Sequence, residues 1–292
     1  MDYTYYPGCS LEVSNKAYDQ SARSVSKALG ANLVELEDWN CCGATNYMSV
    51  RELRSFAISA RNLALAEKLE RDLVTVCSAC YTTLSKTHHY LADNEKLRAE
   101  VNDALSAVQL AYGGTIKVRH LLDVFVNDVG IDKIAGKAKK KLTGLRVAPY
   151  YGCQITRPHA TFDDAEFPVT MDKLFAALGA DITHYPLKSK CCGGMLMTTA
   201  EDVGLKLTKN LLDCAVRGKA DCIVTTCPLC HFNLDAYQDK VNRMFGTNFS
   251  VPVLYFTQLI GVALGMNGKE ISLGQEIVPA DKVLSAYMGG KQ

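Results

Sequence analysis

Ten cysteines of this 292-residue chain fall into two matching sets, and that repetition constrains the fold more than any other property of the sequence. The first set is Cys9, Cys41, Cys42, Cys77 and Cys80; the second is Cys153, Cys191, Cys192, Cys227 and Cys230. In each set a lone cysteine follows a Tyr-rich run (Tyr5-Tyr6-Pro7-Gly8-Cys9 and Pro149-Tyr150-Tyr151-Gly152-Cys153), then comes Cys-Cys-Gly, then Cys-x-x-Cys. Cys42 precedes Cys77 by 35 positions, and Cys192 precedes Cys227 by the same 35. Other residues repeat too: Ala28-Leu29-Gly30-Ala31 returns as Ala177-Leu178-Gly179-Ala180, and Val74-Thr75 as Val224-Thr225. A period of about 150 residues is far longer than solenoid or propeller repeats and points to two globular copies of one domain. The expected domains are residues 1–136 and 145–292, joined by the basic linker 137–144.

Composition narrows the function classes. Basic and acidic residues balance at 32 against 31, a formal net charge of +1, so no global field draws the chain to nucleic acid or an anionic membrane. The opening MDYTYYPGCS lacks a basic segment and an apolar h-region, and no apolar run reaches the ~18 residues of a membrane-spanning helix. A cytoplasmic protein is expected. In a reducing compartment twelve cysteines are poor candidates for disulfide staples, which leaves metal or redox chemistry.

Short β-rich runs alternate with helical patterns along each copy. In the first they are Tyr3 to Tyr6, a helix near Lys16 to Leu29, Leu33 to Leu36, a helix near Arg51 to Leu69, Leu73 to Val76 and Ile116 to Val118. The second copy offers Leu145 to Tyr151, Asp181 to Tyr185, Cys222 to Thr226 and Val251 to Tyr255. Such alternation predicts an α/β fold with a mainly parallel sheet in each domain, where ligands gather at the carboxyl ends of strands. Cys9, Cys77, Cys153 and Cys227 fall where strands are expected to end.

A Cys-x-x-Cys that leaves a strand and opens a helix puts two thiols at a helix N-terminus, where the dipole favours thiolate, the metal-binding form. Adjacent cysteines point to opposite faces of a regular strand, so Cys41-Cys42 and Cys191-Cys192 can share one site only in a bent loop. Gly43 and Gly193-Gly194 supply the permissive backbone. Each half offers five thiols, one more than a structural zinc or an ordinary four-iron cluster takes. That count favours an atypical iron-sulfur cluster, with a zinc-stabilised binding module as a competing reading.

These residues resemble the Cys-Cys-Gly (CCG) domain family, present here twice from Cys9 to Cys230, and the whole chain is similar to the B subunits of the heterodisulfide reductases of methanogenic archaea. The resemblance implies two homologous Rossmann-like CCG domains, each holding a noncubane [4Fe-4S] cluster. Cys9, Cys41, Cys42, Cys77 and Cys80 would ligate one cluster; Cys153, Cys191, Cys192, Cys227 and Cys230 the other. The implied substrate is the mixed disulfide of coenzyme M and coenzyme B, reduced to two thiols by single-electron steps between the clusters. No strand-linked G-x-G-x-x-G and no ferredoxin-type cysteine run is present, so neither a flavin nor a nucleotide is expected in this chain. Electrons would then come from a ferredoxin-like subunit, fed by a flavin-containing bifurcating subunit and a hydrogenase or formate dehydrogenase module. The alternative is an electron relay, as in the related succinate, lactate, glycolate and glycerol-3-phosphate dehydrogenases or thiol:fumarate reductase.

Both parts of that disulfide are anionic, so cations beside the cysteine loops are expected to hold it: Arg157, Lys188 and Lys190, each weighed against an ordinary solvated charge. His231, His88, His89, His120 and His159 are weighed as proton donors to a thiolate product. The tyrosines near Cys9 and Cys153 either line the sites or pack the core. Cys214 and Cys222 have no counterparts in the first copy and read as small buried hydrophobes.

Overall fold

The computed structural model describes residues 1–44, 47–159 and 162–288, with the backbone alone for Tyr47; residues 289–292, the end of the second expected domain, lie outside the described residues. In chain order the first half contains β1 (Asp2–Tyr6), α1 (Cys9–Val13), α2 (Lys16–Leu29), β2 (Asn32–Glu35), α3 (Tyr47–Val50), α4 (Glu52–Glu67), β3 (Leu73–Thr75), α5 (Ser78–Asp93), α6 (Glu95–Ser106) and β4 (Val118–His120). α7 (Leu121–Asp123), a π-helical turn over Val124–Gly130 and α8 (Ile131–Lys137) lead to the second half. There follow β5 (Arg146–Tyr150), α9 (Thr170–Ala177), β6 (Asp181–Ile182), α10 (Leu196–Thr199), α11 (Glu201–Arg217), β7 (Cys222–Thr225), α12 (Pro228–Ala236), α13 (Gln238–Phe245), β8 (Val253–Tyr255), α14 (Phe256–Ala263) and α15 (Asp281–Leu284).

The strands form two parallel sheets of the same order, β2-β1-β3-β4 and β6-β5-β7-β8. The fold is thus α/β, with a four-stranded parallel sheet flanked by helices in each half. Thr4 pairs with Leu73 and Tyr6 with Thr75; Val147 pairs with Cys222 and Tyr150 with Thr225, so β1–β3 and β5–β7 align alike. α2 forms because its apolar positions recur at helical spacing: Tyr18, Ala22, Val25 and Leu29 are all buried. It stops at Gly30, whose φ of 84° is the left-handed conformation of a helix C-terminus, with its N–H on the carbonyls of Lys27 and Ser26.

Three strands depart from the sequence reading, and the one expected from Val251 to Tyr255 begins at Val253 because the Val251 backbone bonds to the Gln238 side chain instead. The strand expected at Ile116 to Val118 lies at Val118–His120, because β3 sets the register, Leu73 pairing with Val118 and Thr75 with His120. The strand expected from Asp181 to Tyr185 narrows to Asp181–Ile182. One further bond, from the Thr183 N–H to the Val147 carbonyl, extends it before the Tyr185 hydroxyl turns to the Leu211 carbonyl.

The two halves share their cores. One apolar cluster draws Tyr5, Tyr18, Val74 and Phe125 from the first half and Tyr151, Phe175, Tyr255 and Phe256 from the second. The other joins Tyr6, Phe56 and Leu63 to Tyr150, Leu211 and Val241. Across the join, α2 packs on α14 and α8 on α9. Tyr18 stacks on Tyr255 with ring centroids 4.0 Å apart, and the Ser21 and Thr257 hydroxyls hydrogen-bond at 2.7 Å. The basic stretch between the halves is fastened to this body: the Lys139 and Lys140 N–H groups both reach the Ala263 carbonyl, and Leu142 is fully buried.

Candidate metal centres

All ten motif cysteines lie at the carboxyl ends of the two sheets, where strands pass into helices. Cys9 opens α1 after β1; Cys77 and Cys227 are the residues just before α5 and α12, with Cys80 and Cys230 in the first turn of each helix. The Cys-Cys-Gly loops fold over them, with Gly43 at φ 83° and Gly193 at φ 100°, the left-handed conformation that bends adjacent cysteines toward one site.

The thiols of each half converge. Sγ atoms approach to 4.0 Å between Cys9 and Cys41, 3.3 Å between Cys42 and Cys80, and 3.5 Å between Cys192 and Cys230. Cys41 and Cys42, Cys77 and Cys80, Cys227 and Cys230, Cys191 and Cys192, and Cys153 and Cys191 lie near enough to shift one another's thiol pKa. Between the halves, the Cys77 and Cys227 thiols lie near enough to perturb each other's ionisation. The sequence spacing indicated two separate sets; the fold joins them at Cys77 and Cys227.

All twelve cysteines are free thiols; Cys9 and Cys41 are exposed, Cys153 and Cys191 half-buried, and the other six motif cysteines buried. Hydrogen bonds from Cys42 and Cys9, with the Gly43 N–H, hold the Cys41 thiol well below its ordinary range. Cys191 is lowered in the same way, by Cys153, Cys192 and the Gly193 N–H. Each lowered group is therefore poised as thiolate, the form a metal requires. Among the described residues no three Cys, His, Asp or Glu side chains surround a single metal ion. Five contiguous thiols per half nonetheless make a soft, all-sulfur donor set larger than tetrahedral zinc uses, and this set fits a polynuclear iron-sulfur cluster.

Two matched pairs of residues, with roles not evident in the sequence, shape each centre. The Tyr6 hydroxyl donates to the Asn40 carbonyl at 2.8 Å and the Tyr150 hydroxyl to the Lys190 carbonyl at 2.7 Å, so each phenol holds the peptide just before a Cys-Cys pair. Burial raises both phenols far above their ordinary pKa, which keeps them protonated donors. Gly8 and Gly152 have φ of 78° and 73°, and a Cβ on them would stand 3.0 Å from the Cys80 sulfur and 3.1 Å from the Cys230 sulfur. The signal was available: Tyr6 and Tyr150, like Gly8 and Gly152, occupy equal offsets before Cys9 and Cys153. Replacing Tyr6 or Tyr150 with Phe is expected to cost about 1 kcal/mol of stability for the lost hydrogen bond and to weaken metal retention in that half alone. Denaturant unfolding beside iron analysis of the two single variants checks this.

The expected cations are used unequally. Arg157 donates to the Ser189 carbonyl at 3.1 Å and lies 3.5 Å from Glu166, while Lys188 pairs with Asp172 at 2.8 Å over the Tyr151 ring. Lys190 is exposed and makes no ion pair among the described residues. The histidines scatter. His88 meets the Tyr112 hydroxyl at 2.5 Å, the His89 and His159 rings meet at a tilt of 42° with centroids 4.2 Å apart, and His231 stacks on Tyr255. His120 lies fully buried at the join. Cys222 is buried in β7, whereas Cys214 is half-buried on α11.

Fold and geometry together define a class: a doubled α/β protein that collects ten thiols at the carboxyl ends of two parallel sheets. The family model for the cysteine-rich domain matches residues 3–85 and 147–235, and the chain belongs to this CCG family, with two copies. It is 34% identical over 284 residues to the 8-methylmenaquinol:fumarate reductase membrane anchor subunit of Wolinella succinogenes, covering 97% of this chain and 99% of that protein. To the B subunit of the ferredoxin:CoB-CoM heterodisulfide reductase of Methanosarcina mazei it is 32% identical, covering 93% and 92%. A protein of Archaeoglobus profundus named for its likeness to the heterodisulfide reductase B subunit is 32% identical, with 100% of each chain covered. A hypothetical protein from Helicobacter pylori superposes with a TM-score of 0.79 at 16% identity over 95% of this chain; this chain spans 52% of that one, and the likeness shows the fold alone. Among the described residues no helix is long and apolar enough to cross a membrane.

Proposed function

We propose that this chain is an iron-sulfur subunit of a multi-component oxidoreductase, binding one cluster in each half through the five motif cysteines of that half. We propose further that its acceptor is a small-molecule disulfide, the mixed disulfide of coenzyme M and coenzyme B, which it reduces to two thiols. The observation that carries this reading is the gathering of the ten motif cysteines at the carboxyl ends of the two sheets, with Cys77 and Cys227 near enough to perturb each other's ionisation. Two redox centres this close suit a substrate that needs two electrons delivered one at a time.

When bound, the clusters supply one-electron reduction. The protein's own residues hold the arrangement. Tyr6 and Tyr150 fix the Cys-Cys loops, and the Gly43 and Gly193 N–H groups favour the thiolates of Cys41 and Cys191. Six buried cysteines stand away from water, while Cys9, Cys41, Cys153 and Cys191 reach the surface from which a substrate sulfur approaches. Lys190, exposed beside Cys191, is the cation we assign to an anionic group of the substrate. Arg157 and Lys188 reach the same group only by opening their ion pairs. Electrons would enter from a ferredoxin-like subunit of a cytoplasmic complex, supplied by a flavin-containing bifurcating subunit and a hydrogenase or formate dehydrogenase module.

The 34% identity to a fumarate reductase subunit favours a second reading, an electron relay to a different acceptor. Electron paramagnetic resonance separates the two. In oxidised, anaerobic, iron-loaded protein, coenzyme M or coenzyme B thiol is expected to produce a new paramagnetic signal. An unchanged spectrum from fully loaded protein would favour the relay.

A further inference from the structure

We propose that His120 is a positioning residue that clamps the two cysteine centres together by donating one N–H to the peptide carbonyl in front of each Cys-x-x-Cys. Its Nε2 lies 3.0 Å from the Val76 carbonyl oxygen and 3.2 Å from the Thr226 carbonyl oxygen. Those carbonyls belong to the peptide groups that lead directly into Cys77 and Cys227. Both partners are acceptors, so Nε2 carries the hydrogen, and Nδ1 is free to accept the Leu122 N–H at 3.1 Å. All ring polar atoms are thereby committed, and the side chain is fully buried at the end of β4. Burial also lowers its pKa to about 4, so the ring remains neutral with this tautomer near neutrality.

One donor shared by two carbonyls ties together two peptide planes from different halves of the chain. The Cys77 and Cys227 side chains leave those two planes, one from each half. The Tyr18 hydroxyl supports the same point from a third element, donating to the Thr226 carbonyl at 3.0 Å, and the Ser78 hydroxyl lies 3.4 Å from it. The clamp is not duplicated. The residue in the matching place of the second half, at the end of β8 and just before α14, is Tyr255, and its hydroxyl goes to Asn15. A single imidazole from the first half therefore sets the spacing between the centres, and with it the ease of passing an electron from one to the other.

The functional meaning of the clamp rests on the proposal that Cys77 and Cys227 belong to two metal centres; the spacing itself can be read without metal. In cluster-free, reduced, full-length protein, diamide oxidises neighbouring thiols to disulfides, and peptide mapping quantifies the Cys77–Cys227 linkage. His120→Phe is expected to slow that linkage on the order of 10- to 100-fold, the penalty of losing near-attack geometry. His120→Gln, which retains an N–H donor, should restore much of the rate. In iron-loaded protein His120→Phe should also narrow the spin-spin broadening seen when both centres are paramagnetic. If His120→Phe fails to fold, His120→Asn reads the same quantity, because its shorter amide reaches one carbonyl and not both. A folded His120→Phe or His120→Asn variant with parental linkage kinetics overturns the clamp. Failure of the parent to retain iron overturns the metal reading instead and leaves the clamp standing.

Discussion

Serine at Cys41 or Cys191 is expected to remove metal from the half that carries the substitution and to lower disulfide-reducing turnover by more than about 100-fold, since even supporting residues around a metal cost 10- to 100-fold. Each of these two cysteines accepts hydrogen bonds from a thiol on either side and from the glycine N–H that follows it. Each is thus the most strongly ionised point of its Cys-Cys loop. A serine hydroxyl has about the same size but stays protonated at neutral pH and is a hard oxygen donor where iron prefers soft sulfur. On the proposed assignment of one ligand set to each half, Cys41→Ser should leave the second half's iron in place, and Cys191→Ser the first half's. Iron and sulfide analysis of both variants, beside turnover of the assembled complex, checks this. Full activity from either serine variant would falsify the assignment of both centres to catalysis.

Alanine at Gly8 or Gly152 is the second large effect. Both glycines have positive φ, and Gly8, at φ 78° and ψ 160°, occupies a region essentially confined to glycine, which costs a residue with a Cβ about 1–3 kcal/mol. Here the added Cβ also meets a sulfur. It would lie 3.0 Å from the Cys80 Sγ at Gly8, with the Tyr6 ring at 3.4 Å, and 3.1 Å from the Cys230 Sγ at Gly152. The thiol must shift, and with it one ligand of the proposed centre. Gly30 provides the control: its φ is 84°, but an added Cβ has nothing within 4 Å. Gly30→Ala is expected to lose about 1–2 kcal/mol of stability and no iron, whereas Gly8→Ala and Gly152→Ala should lose both. Equal iron retention in all three variants would show that the close approach to sulfur has no part in metal binding.

Much of this architecture was legible in the sequence because duplication writes the same signal twice. The repeated cysteine spacing announced two copies, and the alternation of short β-rich runs with amphipathic segments announced a parallel sheet in each. α2 falls at Lys16–Leu29 as read, since its periodic apolar face and its terminal Gly30 both mark it. The edge strands were read less well. β4 and β6 are three and two residues long and take their limits from hydrogen bonds to neighbours, which a local pattern does not contain. At the sites, the sequence supplied the thiols but not their order of contact. The meeting of Cys77 with Cys227 depends on how two distant segments dock, and so do the bonds of His120 to Val76 and Thr226. Arg157 and Lys188 show the same limit: proximity in sequence to a cysteine did not disclose that Glu166 and Asp172 sit against them.

The shared core also bears on how the two halves pair. α2 follows β1 as α9 follows β5, and α14 follows β8 as the segment ending in α8 follows β4. The join pairs α2 with α14 and α9 with α8, so corresponding elements of the two halves meet in reciprocal fashion. Reciprocal contact of this kind is the mark of an isologous homodimer. Each half thus presents to the other the kind of self-complementary surface by which two copies of one chain pair, with Tyr18 and Tyr255 buried within it. The symmetry is broken at the strand ends, where β8 finishes in Tyr255 and β4 in His120.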